Sequence, residues 1–431
     1  MIAFHRTISS HRRAAVAAVA VVAAFMAPSS DANCRAATAT DSVSRYGAAL
    51  YVNPGTIPAM DEYVSRWLKK SGTVGVGIEL LRATLPSDSV VVASDFGYPT
   101  FALGLRYTFN GAVRMHRDPD ASWGKAQEVD YDSHLGNTVT LYMHFVRPLL
   151  RTKHWEADYT LGLGLGYNSL YYNKKDDIDN ELIGTGLSVY FNAGAHVTWY
   201  PAKQWGVRVG AELVHHSNGA LDRPNKGTNA IGPSVALVYA PYRSALVGAP
   251  RLRQPFEGYW YAEVSVGVGA KTLMEEWNLT QFRTDPGDDD YRTEHFHLYT
   301  AYSLQCDVMR RYARRWASGI AIDVFYGTYY KRVREIDRAD GYALRHSPWS
   351  LGIAAKHEVY YGRWSVPMEL GYYLYRHMGH NASEIETPYY ERIGVRYSLP
   401  SLAGISVGVQ LCAHALKANF TELCVGIPVR L

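Results

Sequence analysis

Charge is scarce in this sequence, and a long apolar run is missing from most of it. Only 19% of the 431 residues are charged, against 47% hydrophobic. Beyond residue 32 there is no run of roughly 18 or more apolar residues, which excludes a bundle of transmembrane helices. Cysteine is scarce too. The four cysteines, at 34, 306, 412 and 424, have no spacing that resembles a zinc site, and no glycine-rich phosphate loop follows a strand. The sequence therefore calls for neither a metal nor another cofactor. A basic excess is also absent: the net charge is +4, and +2 once the three arginines and one aspartate of residues 1–32 are set aside. No nucleic-acid partner follows from that balance. There is no low-complexity segment and no fixed-period repeat, and nothing fixes an oligomeric state.

Aromatic residues and glycine are plentiful instead. Thirty-three tyrosines, 10 tryptophans and 37 glycines accompany a mean hydropathy of -0.19. Strands with one greasy and one polar face average out to such a composition. The periodicity agrees. Trp155, Ala157, Tyr159, Leu161, Leu163, Leu165 and Tyr167 alternate with Glu156, Asp158, Thr160, Gly162, Gly164, Gly166 and Asn168. Residues 187–199 repeat the pattern, and such strands are longer than those of an average sandwich.

Similar runs occur at 74–82, 99–109, 136–147, 207–217 and 230–240, and again at 257–273, 294–309, 316–331, 348–362, 364–376, 388–398, 402–414 and 420–431. Aromatic residues gather near many of their ends, as interface girdles do. The count is about fifteen. Single-chain bacterial barrels use even numbers, so the pattern predicts an all-β, antiparallel transmembrane barrel of 14 to 16 strands. The alternative is two smaller barrels divided at APYRSALVGAPRLRQP, residues 240–255. Charged, turn-rich stretches at 111–135, 173–182, 276–293, 332–347 and 377–387 read as projecting loops.

The N-terminus reads as an export signal. Arg6, Arg12 and Arg13 precede an apolar run from Ala14 to Met26, and Ser30-Asp31-Ala32 places small residues where a signal peptidase inspects them. The domain reading is thus a signal peptide over 1–32, cleaved near Ala32, and a barrel over 33–431. Cys34 does not make a lipoprotein site, because Asn33 stands where a small residue is needed.

The segment HHSNGALDRPNKGTN, residues 215–229, carries the chemistry. His215 and Ser217, two apart on a strand, share one face. Val207, Val209, Ala211 and Leu213 set that face as the apolar one, so in a membrane barrel the pair points at lipid. A histidine accepting the serine proton turns a weak hydroxyl into a nucleophile. A His-x-Ser pair alone is common; Asn218-Gly219, the Pro224-Asn225 turn and Asn229 give this one its weight. His216, on the polar face, reads as a lumenal side chain.

HHSNGALDRPNKGTNAIGPSVALVY resembles the signature of the PagL-type lipid A 3-O-deacylases. Residues 97–241 are similar more broadly to the related acyloxyacyl hydrolases, and YYERIGVRYSLP and LKANFTELCVGIPVRL resemble, less specifically, the ends of longer members. The resemblance implies an outer-membrane enzyme of a Gram-negative bacterium. It would be a serine esterase acting on lipid A of the lipopolysaccharide, without cofactor. On that resemblance Ser217 is the nucleophile, His215 the general base and Asn218 an oxyanion donor. The acid that orients the histidine falls at Asn229. An amide there can hold an imidazole but cannot stabilise imidazolium by charge. Asp222 and Glu212 are nearby carboxylates, although Glu212 has the opposite parity.

At the C-terminus, a hairpin centred on Ala418 would oppose Cys412 to Cys424 and His414 to Glu422. The first pair allows a disulfide in an oxidising compartment; the second allows a lumenal His-Glu site or a simple structural pair. Two functions remain: a lipid A esterase, or a pore or structural barrel that retains the motif unused. A lumen packed with Tyr190, His196, Glu156 and Asp158 favours the first, an open one the second.

Overall fold

The computed structural model describes residues 44–120 and 123–431. The signal segment, its cleavage point and Cys34 lie outside the described residues. Sixteen long antiparallel strands dominate the described residues. In order they are β1 (Tyr46–Thr56), β2 (Gly72–Ala83), β3 (Thr100–Phe109), β4 (Thr138–Arg151), β5 (Trp155–Asn168), β6 (Leu187–Trp199), β7 (Trp205–Ser217) and β8 (Thr228–Tyr239). After a linker with a short helix come β9 (Tyr259–Lys271), β10 (Tyr299–Ala313), β11 (Trp316–Gly327), β12 (His346–Tyr361), β13 (Trp364–Met378), β14 (Tyr389–Leu399), β15 (Ile405–His414) and β16 (Lys417–Arg430).

These strands do not form the single barrel of 14 to 16 that the alternation predicts. They close into two barrels of eight. The reason is the pairing of β8, which bonds to β7 on one side and returns to β1 on the other, with Ala48 opposite Tyr239 and Leu50 opposite Leu237. The first sheet is sealed before the chain reaches the linker, and β16 likewise returns to β9. The division falls at the proline-bearing stretch read as the alternative boundary. Strand β1 is the one the periodicity overlooks, because Gly47, Pro54 and Gly55 interrupt its alternation.

Outward positions are apolar and exposed in both barrels, among them Leu50, Ile78, Leu80, Val264, Ile320 and Leu370. A wall of this composition is one that lipid covers, not water. Aromatic pairs mark its rims, with Trp155–Trp199 and Trp205–Tyr239 at one end of the first barrel and Tyr107–Phe109 at the other.

An eight-stranded barrel is just wide enough for its own side chains, and both lumens are filled with paired charge. In the first, Glu79 accepts from Arg208 at 3.1 Å and pairs with His144 at 3.0 Å, while His196 bridges Asp158 at 3.3 Å and Glu212 at 3.2 Å. Tyr142 fits because Gly104 faces it, where a Cβ would stand 2.1 Å from the ring. His216 points inward, as its parity requires, and meets Thr140 Oγ1 at 3.0 Å. In the second lumen, Arg392 bonds Asp323 at 2.6 Å and also Glu422, and Lys356 bonds Asp307 and Gln305.

The C-terminal hairpin turns earlier than the sequence suggests. Ala415 and Leu416 both have positive φ, +49° and +64°, giving a two-residue turn with His414 opposite Lys417. A register slip then puts Cys412 opposite Phe420 and Cys424 opposite Gly408. Consequently Cys412 and Cys424 are free thiols, not a disulfide. The His414–Glu422 pair is not formed either: His414 lies 3.0 Å from Tyr373 OH, and Glu422 is taken by Arg392 and Ser303. Without Asn-Gly to announce it, this turn had no signal.

The long loops of both barrels gather at one end. The helix Met274–Phe282 of the second barrel packs there against the first, with Trp277 and Tyr172 ring centroids 5.1 Å apart and Arg292 paired to Asp179 at 3.0 Å. At the opposite end Tyr361 of the second barrel stacks edge-on against Phe101 and Phe145, each at 5.5 Å. Removing one partner of the buried charge network leaves the others uncompensated. Arg392→Ala is expected to destabilise the folded protein by about 3–5 kcal/mol, read as a lower urea midpoint for the heat-modifiable species in detergent micelles.

Candidate active site

Strand β7 delivers two side chains to its outer face just before it ends. Its odd residues Val207 and Val209 are 41% and 49% exposed, while Arg208, Glu212 and His216 are buried inside. His215 and Ser217 continue the outer series by parity but not by exposure: His215 is half-buried and Ser217 is 8% exposed. The register with β8 sets His215 directly opposite Asn229. The three side chains assemble accordingly: His215 Nε2 lies 2.8 Å from Ser217 Oγ, and His215 Nδ1 lies 2.7 Å from Asn229 Oδ1. An amide oxygen only accepts. Nδ1 therefore carries the ring proton, and Nε2 faces the serine hydroxyl as a bare acceptor. The neighbouring strand β6 flanks the pair with Val189 opposite Ser217 and Phe191 opposite His215.

Neither carboxylate near the motif joins this arrangement. Glu212 turns inward to His196, and Asp222 accepts from the Arg223 amide at 2.8 Å. Asn229 holds the position where the family resemblance places an acid.

After Ser217 the chain bends sharply. Asn218 donates its backbone amide to Asn225 Oδ1 at 2.8 Å, but both polar atoms of its own side chain are buried without a partner. An unsatisfied buried amide costs about 1–3 kcal/mol. Gly219 and Ala220 follow with φ of +65° and +67°. Ala220 is wholly buried, so the strain of a left-handed alanine, about 1–2 kcal/mol, is held by its surroundings. Gly227, at φ +75°, brings bare backbone against the imidazole, where a Cβ would stand 2.7 Å from His215 Cε1.

The surroundings of this loop include residues the sequence gave no reason to select. Thr272 and Thr421, both from the second barrel, bond the carbonyls of Ala220 and Gly219. Arg223 bonds the Thr272 carbonyl at 2.9 Å. Contacts between parts of the chain 50 to 200 residues apart leave no local pattern.

Residues 101–238 match the family model for lipid A 3-O-deacylase (PagL), and residues 260–430 match that for the acyloxyacyl hydrolase C-terminal domain. The chain belongs to the PagL-like acyloxyacyl hydrolase family. The two matches part at the linker that separates the barrels, one falling in each. Among solved structures, the outer membrane enzyme PagL is similar at 14% identity, over 44% of this chain and 99% of its own, with a TM-score of 0.26. The COG4313 outer membrane channel from Pseudomonas putida F1 is similar at 9% identity, over 89% of this chain and 94% of its own, with a TM-score of 0.19. Superpositions this loose carry no argument about the site. No curated protein matches the chain.

The loop that follows Ser217 has a built-in pH dependence. Burial pushes the Asp222 carboxyl up from its usual 3.8 to about 7, and the amide and positive charge of Arg223 only partly oppose it. A carboxyl raised in the folded state favours folding while protonated. Its contribution is full below about pH 4 and is lost as the pH rises through about 7. Limited proteolysis at Lys226, normalised to cleavage of an unfolded peptide, is expected to accelerate between about pH 5 and 8 in the wild type and to stay flat in Asp222→Asn.

Proposed function

We propose that this protein is an outer-membrane serine esterase that removes an ester-linked acyl chain from lipid A. Its place would be the outer membrane of a Gram-negative bacterium, reached by way of the signal segment. The observation that carries the reading is the hydrogen-bonded series Ser217–His215–Asn229, on the strand face whose other residues form the apolar outer wall. A water-soluble substrate has no access to that wall, whereas an acyl chain lies along it.

The residues divide the work as follows. His215 Nε2 takes the Ser217 proton as Oγ attacks the ester carbonyl. Negative charge builds on the carbonyl oxygen, and the unpartnered Asn218 amide stands beside the nucleophile to receive it. One such donor is worth about 3 kcal/mol in the transition state. The imidazolium then returns its proton to the departing sugar hydroxyl, leaving an acyl-serine. Water, activated by the same His215, releases the fatty acid. Asn229 keeps the ring in the one tautomer that serves both steps.

The pore reading has less support. It needs an open lumen, and Tyr190, His196 and Asp158 are all buried among partners inside the first barrel. A void beside Glu156, Asp158 and Arg208 measures about 30 Å³, room for a water or two.

Cells or liposomes carrying the protein are expected to show lipid A short of one ester-linked acyl chain by mass spectrometry. Ser217→Ala is expected to abolish that loss while heat-modifiable folding persists. Asn229→Glu is expected to preserve or raise the rate, since a carboxylate orients the ring and also stabilises imidazolium. Identical lipid A from wild type and Ser217→Ala, across several lipid A types, would rule the esterase out.

A further inference from the structure

The segment just past the nucleophile is suspended from the second barrel. Gly219 and Ala220 hold consecutive left-handed conformations, and their carbonyls accept hydrogen bonds from the second barrel. Thr421 of β16 donates its hydroxyl to the Gly219 carbonyl at 2.8 Å. Thr272, the residue after β9, donates both its amide, at 2.8 Å, and its hydroxyl, at 3.1 Å, to the Ala220 carbonyl. The Thr272 carbonyl in turn accepts from the buried Arg223 of the same loop.

These bonds do more than join two barrels. The C=O and N–H of one trans peptide point in opposite directions, so fixing the Gly219 and Ala220 carbonyls fixes the planes of the two peptides after Gly219, and the second of these donates its Leu221 amide back to the Asn218 carbonyl at 3.3 Å. The tolerance is small as well: a Cβ on Gly219 would stand 2.5 Å from Thr421 Oγ1. Asn218 has no side-chain partner of its own to hold it. Its direction therefore follows its backbone, whose amide is tied to Asn225 and whose carbonyl is tied to Leu221, at the end of the peptide that the second barrel holds.

We propose that the second barrel is a working part of the esterase, in which Thr421 and Thr272 are positioning residues that aim Asn218 at the oxyanion formed at Ser217. The proposal rests on the serine-esterase reading above. It assigns the C-terminal half of the chain a role in the rate, one carried by two hydroxyls and one amide.

The test uses the full chain in lipid A liposomes, comparing Thr421→Val, Thr421→Ser and Thr272→Val with wild type. Misaiming one oxyanion donor is expected to lower kcat roughly 10- to 100-fold in Thr421→Val. KM should stay near the wild-type value, and Thr421→Ser should recover most of the rate. Thr272→Val, which keeps the amide bond and loses only the hydroxyl, should fall between the two. It reads the same clamp from a different strand if Thr421→Val does not fold. A wild-type kcat in folded Thr421→Val or Thr272→Val would overturn the positioning role while leaving the esterase intact. A wild type without turnover would overturn the esterase reading itself, and the positioning role with it.

Discussion

Closure at eight strands is the constraint from which the rest of this structure follows. A barrel that small has no room for a water-filled core, so whatever points inward must pack and must be paired. Glu79 with Arg208 and His144, and Arg392 with Asp323 and Glu422, are answers to that requirement. They also remove the lumen as a place for substrate. What remains for chemistry is the outer wall and the rim, and the strand period of two decides which residues reach it. His216 falls inside the barrel and becomes structural; His215 and Ser217, on either side of it in sequence, fall outside.

A reactive pair on such a wall meets a problem of its own. Strand geometry aligns His215 with Asn229 through the ladder alone, because the two are direct partners across β7 and β8. No ladder partner exists for the residues beyond Ser217, where the strand has ended. Their conformation must be imposed from elsewhere, and within the first barrel the nearest anchor is Asn225 on the same loop. The far end of the loop hangs on the Glu181 and Leu182 carbonyls through the Lys226 and Gly227 amides, and the near end, at Gly219 and Ala220, on the second barrel. Its long-loop end stands beside that of the first, with Trp277 against Tyr172 and Thr421 over Gly219.

What was legible in the sequence was whatever repeats locally. Alternation marked fifteen of the sixteen barrel strands, the inward fate of His216 and the opposite parity of His215 and Ser217, but not the burial of Ser217. It failed at β1, where Pro54 and two glycines hide a strand whose inward Ala49, Tyr51 and Asn53 keep the period. That single omission mattered, because β1 is the strand on which β8 closes; without it a continuous larger barrel looked natural. The Cys412–Cys424 expectation failed for a related reason. Register in a hairpin is set by its turn, and Ala415-Leu416 adopts positive φ without the residues that usually announce it. Closure and the inter-barrel bonds are long-range facts, which a window of ten residues does not contain.

The asparagine at 229 fits the location better than it fits the chemistry of a triad considered alone. A carboxylate on a lipid-facing wall is a charge removed from water, and it is repaid only while the imidazole opposite is charged too. In the resting state the ring is neutral, so an ionised partner would stand largely uncompensated. An amide holds the same tautomer by the same 2.7 Å bond with no charge to desolvate. What it gives up is stabilisation of the imidazolium in the transition state. On the proposed mechanism that loss would shift the electrostatic burden of the reaction toward the oxyanion, and hence onto Asn218 and whatever aims it. An esterase built as proposed, with a neutral third member, would depend more heavily on the loop after Ser217, which is the loop that the second barrel holds.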